Sequence, residues 1–182
     1  MNRQEALDLV NEYTTNKNLV KHMLAVEAAL KTYAKKFGED EDKWGICGIL
    51  HDFDYEKMGH DHPSEWGMNI LEEKGVDREV IDAVRVHGER DKPEMRTTRL
   101  AKALFAVDEL TGFIVACALV NPEKLAGVGI NSIKKKMKKK EFAKAVNRDD
   151  FIRGAEELSV SLDEHLQTVL DAMKGISDEL GL

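Results

Sequence analysis

His51 and Asp52 end the apolar run Ile46-Cys47-Gly48-Ile49-Leu50, and Phe53-Asp54 follow. An imidazole and a carboxylate at the end of a buried segment are residue types that bind metal or carry protons from a rigid support. Taken alone, the pair also reads as a helix-capping histidine and the opening of a turn. Two more residues of the same chemical type bear on that choice. His22 falls in line with Val26 and Ala29 on the inward stripe of a helical pattern, and Asp108 shares a face with Leu104, Thr111 and Val115. Each has an ordinary explanation, His22 as a hydrogen-bonded core histidine and Asp108 as the partner of a buried Lys or Arg. A bare buried aspartate costs several kcal/mol, so some partner is close to obligatory. Taken together, two imidazoles and two carboxylates from three helices would satisfy Asp108 with a cation, and this donor set suits Mn, Fe, Co, Ni, Zn or Mg. His87 is in register with Val80 and Val84 and so points inward, and His62 directly precedes Pro63, which fixes the backbone beside it. A second metal would give both positions a reason to be histidine.

The elements that must position these residues are all helical by pattern. Apolar residues at 19, 23, 26, 30, 33 and 37 predict a helix from Leu19 to Phe37, stopped by Gly38. A short helix from Asn2 to Tyr13 precedes it, and one from about Lys43 to Leu50 delivers His51 and Asp52. A polar loop carries His60-Asp61-His62, Pro63 is read as the first residue of a helix to Lys74, and Asp77 caps the helix that bears His87. The longest helix is predicted over Thr98 to Val120, where Pro122 forbids continuation. Further helices are expected from Asn121-Pro122-Glu123, from Asn131-Ser132, and from Asp149 or Asp150 to about Leu158. Ser161 with Glu164 reads as a capping box for the last one. No alternating strand pattern, repeat or flexible linker interrupts this series. The expectation is an all-α fold of eight or nine helices, one domain over 1–182.

Composition narrows the class. At 182 residues with 42% hydrophobic and 34% charged residues, the chain suits one well-buried core rather than a disordered or fibrous protein. The net charge of −7 argues against nucleic-acid binding, as does the lack of aromatic residues among the six lysines of positions 134 to 140. That run reads as a solvated helix face or as a flap that draws an anionic substrate. Cys47 and Cys117 form neither a disulfide framework nor a CxxC metal site, which points to a reducing compartment. The start Met1-Asn2-Arg3-Gln4-Glu5 has no secretory pattern, and no apolar run is long enough to cross a bilayer, so a cytoplasmic protein without membrane contact is expected. His60 reads as a loop residue or as a competitor of His62 for metal, His165 as a surface residue, and Trp44 and Trp66 as core.

His22, then His51-Asp52, then Asp108 in Ala106-Val107-Asp108-Glu109-Leu110-Thr111-Gly112, resembles the HD-domain superfamily of metal-dependent phosphohydrolases, a helical fold. The resemblance covers about 19–118 and leaves a helical C-terminal extension, 121–182, outside it. It implies that His22, His51, Asp52 and Asp108 hold one divalent metal. His62 and His87 occupy the places of two further histidines that hold a second metal in a binuclear subset, with Asp52 as bridge and His51 and Asp52 at the catalytic centre. Phe53-Asp54 stands where the related HDIG subgroup has Ile-Gly, and position 55, where some nucleotide-hydrolysing relatives carry an acid, is Tyr. The implied function is hydrolysis of a phosphate ester or anhydride of a small, nucleotide-like molecule. The chemistry agrees, since two cations about 3.5 to 4 Å apart acidify a bridging water and clamp a phosphoryl group. Lys57, Arg90 and Arg96 are candidate phosphate contacts or proton sources. The alternatives are a metal-containing binding domain without turnover and, from relatives with the same ligand set, a di-iron oxygenase.

Overall fold

The computed structural model describes residues 1 to 182, and it is helical throughout, without a strand. The helices are α1 (Arg3–Tyr13), α2 (Lys17–Phe37), α3 (Glu41–Leu50), α4 (Tyr55–Met58), α5 (Glu65–Glu73), α6 (Arg78–Val86), α7 (Arg99–Leu119), α8 (Ile130–Met137), α9 (Arg148–Glu157), α10 (Leu162–Lys174) and α11 (Ser177–Leu180). Two 3-10 turns, Gly59–Asp61 and Pro93–Met95, complete them. The total exceeds the eight or nine expected because α4 and α11 are single turns, too short to show a period in sequence. Side chains of Asn2, Asn16, Asp40, Ser64, Asp77, Thr98, Asn147 and Ser161 each accept an N–H of the first turn that follows. These bonds set the starts, since an N-terminal turn has no carbonyls of its own to pair with.

The core is organised on α2 and α7, which pack on each other and bury Val26, Leu30, Leu104, Val107 and Leu110 completely. α3 lies unusually close along α2. A methyl group at Gly48 would stand 2.6 Å from the Glu27 backbone, so only glycine permits this approach, which brings the end of α3 beside His22. The segment after α3 is clamped to the turn between α1 and α2. Thr14 Oγ1 donates to the Phe53 carbonyl at 3.1 Å, and the Glu56 carboxylate accepts from the Thr15 and Asn16 N–H groups at 2.8 and 2.9 Å.

The extension packs back on the same two helices. At Gly154 of α9 a Cβ would lie 2.4 Å from Ala106 Cα, so the two backbones touch, and α10 lies against α2 and α7. His165 is fully buried there rather than at the surface: Tyr33 Oη meets its Nδ1 at 2.6 Å, and its Nε2–H donates to the Ala106 carbonyl at 2.9 Å. Other expectations also change. Pro63 precedes the Ser64 cap instead of starting α5, because Ser64 offers the capping hydroxyl. Residues after Asn121 form turns, with the Asn121 side chain bonded to Gly127, and no helix. Glu164 leaves its half of the capping box to pair with Lys36. Trp66 is 40% exposed, resting edge-on against Tyr13.

Candidate metal centre

Six side chains from five parts of the chain converge at the top of the α2–α3–α7 core. His22 and Asp108 project from α2 and α7, His51 caps α3, Asp52 follows it, His62 precedes α5 and His87 caps α6. They fall into two sets, His22 with His51 and Asp108, and Asp52 with His62 and His87, each with its donor atoms within 4.8 Å of one another. In the first set His22 Nε2 lies 3.2 Å from His51 Nε2 and 3.1 Å from Asp108 Oδ1. In the second, His62 Nε2 lies 3.2 Å from His87 Nε2 and 2.9 Å from Asp52 Oδ1. The other oxygen of Asp52 turns the opposite way, 3.4 Å from His51 Nε2 and 3.6 Å from His22 Nε2. Asp52 thus spans the two sets with one oxygen in each.

The far side of every imidazole fixes which nitrogen carries hydrogen. His51 Nδ1 faces only the Gly48 carbonyl at 2.8 Å, and His87 Nδ1 only the Val84 carbonyl at 2.6 Å, so both nitrogens donate. His62 Nδ1 donates to the buried Asp54 carboxylate. Thr111 Oγ1 gives its hydrogen to the Asp108 carbonyl at 2.8 Å and accepts from His22 Nδ1 at 3.3 Å. Each neutral ring is left with a lone pair on Nε2, and these lone pairs point at one another and at carboxylate oxygens. Such contacts repel unless positive charge lies between them. Two ligand atoms each about 2.1 Å from one cation stand about 3.0 to 3.4 Å apart at octahedral or tetrahedral angles. The observed spacings match, so the residues fit divalent ions, and the absence of thiolate from the set favours Mn, Fe, Co, Ni, Zn or Mg.

The electrostatics call for the same charge. Burial opposes a charge on His51, yet the carboxylates of Asp52 and Asp108 outweigh it and raise its pKa well above the usual histidine value. His62 is pushed up to about 9, against its burial, by Asp52 and Asp54. Asp52 and Asp108, although only partly exposed, are held far below the usual carboxylate range by the surrounding imidazoles. Protons and metal therefore compete for the same lone pairs.

Asp54 was not singled out by residue type and spacing, although the sequence places it two positions after Asp52. It is wholly buried, its Oδ2 accepts from Ser64 N–H and Oγ–H at 3.0 and 2.6 Å, and its Oδ1 holds His62. The signal was a second acid in a short apolar connection with no basic residue beside it. Of the candidate phosphate contacts, only Arg90 lines the adjoining cavity. Arg96 is buried, with two hydrogen bonds to Glu157 and one to the Glu89 carbonyl, and pins the loop between α6 and α7. Lys57 and the lysines of 134 to 140 are not in the cavity wall. Glu109, Ala145 and Asp150 are, the last two from the extension.

A family model described as HD domain matches residues 19–112. Comparison with curated proteins and with solved structures yields no match to either. With just over half of its length matched, an all-helical fold, and the His and Asp clusters at the matched positions, the chain belongs to the HD-domain family, whose members are in general metal-dependent phosphohydrolases.

Proposed function

We propose that the protein hydrolyses a phosphate ester or anhydride of a small, nucleotide-like molecule, using two divalent ions held by His22, His51, Asp52, His62, His87 and Asp108. The observation that carries this reading is the pair of lone-pair clusters joined through the two oxygens of Asp52. When bound, the ions would supply Lewis acidity, making water a competent nucleophile near neutral pH and neutralising phosphoryl oxygens. The chain's own contribution is preorganisation. Each imidazole is fixed on its far side by a backbone carbonyl, a hydroxyl or Asp54, so no ligand must reorient during the reaction. Asp52 ties the two halves together, and the buried His51 keeps water away from the inner side. The cavity beside the centre is lined in part by Leu19 and the exposed Tyr55, and leaves room there for a substrate.

On the same reading the chain is one domain, with 19–118 carrying the ligands and 121–182 supporting them, since Arg96 before α7 pairs with Glu157 in α9. The six-ligand, binuclear and HDIG-like character belongs to this proposal. No ligand position is lost, which separates this reading from that of a metal-containing domain without turnover. The test is release of phosphate from a panel of nucleotides, dinucleoside polyphosphates and simple phosphate esters, after chelation and reloading with Mn, Fe, Co or Ni. Activity is expected to vanish with chelator and return with metal. If no ester yields phosphate with any ion, the binding-domain reading replaces it.

A further inference from the structure

The cavity beside the six candidate ligands has a volume of about 650 Å³. Its wall contains four carboxylates, Asp52, Asp108, Glu109 and Asp150, but among Lys and Arg only Arg90. Asp52 and Asp108 belong to the metal centre. Across from them, the charge of Arg90 is already matched twice: Nη2 lies 2.5 Å from Glu109 Oε1, and Nε lies 2.7 Å from Asp150 Oδ2 as an ion pair, off the line of a hydrogen bond. Both carboxylates are themselves fixed. Glu109 Oε2 accepts from the Asn147 N–H at 3.3 Å, and Asp150, only 1% exposed, accepts from Arg153 at 2.8 Å. The remaining imidazole of the wall, His60, sits exposed at the rim.

This wall has no uncommitted side-chain cation. All positive charge offered to an anionic substrate would come from the metal side, which suffices for one phosphoryl group. A second anionic group on the substrate would leave water to face Glu109 and Asp150 with no partner, which costs both desolvation and like-charge repulsion. We infer that the site selects phosphomonoesters whose remainder carries no negative charge, and that Arg90, Glu109 and Asp150 form the selecting wall. The inference rests on the phosphohydrolase reading and narrows it, turning polyphosphates and carboxylated phosphates away.

The experiment compares O-phosphoethanolamine, glycerol 3-phosphate and 3-phosphoglycerate, which share a phosphoryl group but carry cationic, neutral and anionic remainders. Binding to the manganese-loaded full chain is read by calorimetry, phosphate release by a colour assay, and metal content before and after. The anionic ester should bind at least about tenfold more weakly than the neutral one, the scale of one like-charge contact in a partly screened site. Two variants push that ratio in opposite directions, which a general loss of structure cannot do. Glu109→Gln removes one of the two charges that match Arg90 and should narrow the gap, whereas Arg90→Gln leaves Glu109 without a cation and Asp150 with Arg153 alone, and should widen it. Equal or tighter binding of 3-phosphoglycerate, or a ratio that neither variant moves, overturns the inference. Binding in the expected order, with no phosphate released from these esters or from the nucleotide panel with any ion, would sink the phosphohydrolase reading and leave the selectivity standing. No binding of any ester overturns both.

Discussion

The two halves of the candidate centre are built on different foundations. His22, His51 and Asp108 stand on α2, α3 and α7, helices packed on one another through the core, and the far-side hydrogen bonds of their imidazoles go to a backbone carbonyl and a hydroxyl of those same helices. His62 stands on the irregular segment between α4 and α5 and is held by a side-chain carboxylate, Asp54, which Ser64 holds in turn. His87 is intermediate, at the end of α6 with its Nδ1 on the Val84 carbonyl. The first half inherits its rigidity from packing, while the second gets much of it from one buried charge. The first half should therefore be the tighter and the less easily disturbed, with Asp52 as the one ligand on which both depend.

The largest effect is expected where the halves cannot be told apart. Asp52→Ala takes an oxygen from each set, and the protein should purify without bound metal and without activity while keeping its helix content, because the apolar faces of α2, α3 and α7 are untouched. His62→Ala should instead lose one ion and keep the other. Metal analysis with circular dichroism decides: full occupancy in the Asp52 variant ends the bridging assignment, and an unchanged metal count in the His62 variant makes the centre mononuclear.

That asymmetry also explains what could be read from the sequence. His22 and Asp108 were legible because helical periodicity places a side chain on a face before any contact is known, and a ligand-type residue on an apolar stripe stands out. The α2 and α7 boundaries came within about two residues for the same reason, since caps and Gly38 mark them. Nothing periodic governs the connection from Phe53 to Ser64, and the role of Asp54, the α4 turn and the position of Pro63 outside α5 depend on contacts across that loop. His165 and Arg96 were misplaced because a polar residue near a helix end looks solvated unless its distant partner is known. Those partners, Ala106 and Glu157, lie 59 and 61 positions away. The far cavity wall was illegible for a similar reason, since Arg90, Glu109 and Asp150 meet only when the extension folds back on α7.

A smaller effect should separate the halves by their support. Asp54→Asn keeps shape but turns the charged acceptor of His62 Nδ1–H into an amide. Removing such an outer partner commonly costs about 10- to 100-fold in metal affinity. The loss is expected in the weaker of two titration phases, with the tighter phase unchanged. Burial opposes the Asp54 charge, but His62 and Ser64 hold its pKa below the ordinary value, so the carboxylate is there to be removed. Equal weakening of both phases would mean that Asp54 supports the whole fold and not one half of the centre.

The smallest effect concerns what lies beneath the first half. α7 is braced two residues before Asp108 by His165, whose Nε2–H holds the Ala106 carbonyl while Nδ1 accepts from Tyr33. That arrangement needs a neutral ring, and burial pushes the pKa of His165 down to about 4. In the unfolded chain an exposed histidine titrates near 6.5. Above that pH the ring is neutral in both states and its full contribution is present. As the pH falls from about 6.5 towards 4, the unfolded chain takes a proton that the folded chain refuses, and stability drops by at most about 1.4 kcal/mol per pH unit. Asp54 gives little loss over most of this window, because its carboxyl stays ionised in the unfolded chain as well until the pH nears about 4; its own loss comes below that, where the unfolded chain takes a proton that the lowered folded pKa refuses. His165→Gln can still donate to Ala106 and accept from Tyr33 but cannot titrate. Its urea midpoint should start lower than the parent's at pH 8, where the fit of imidazole is lost, and should then fall less steeply between pH 6.5 and 4. Parallel pH profiles for parent and variant would place the acid sensitivity elsewhere, in the six ligands themselves, and would remove His165 as the neutral brace beneath Asp108.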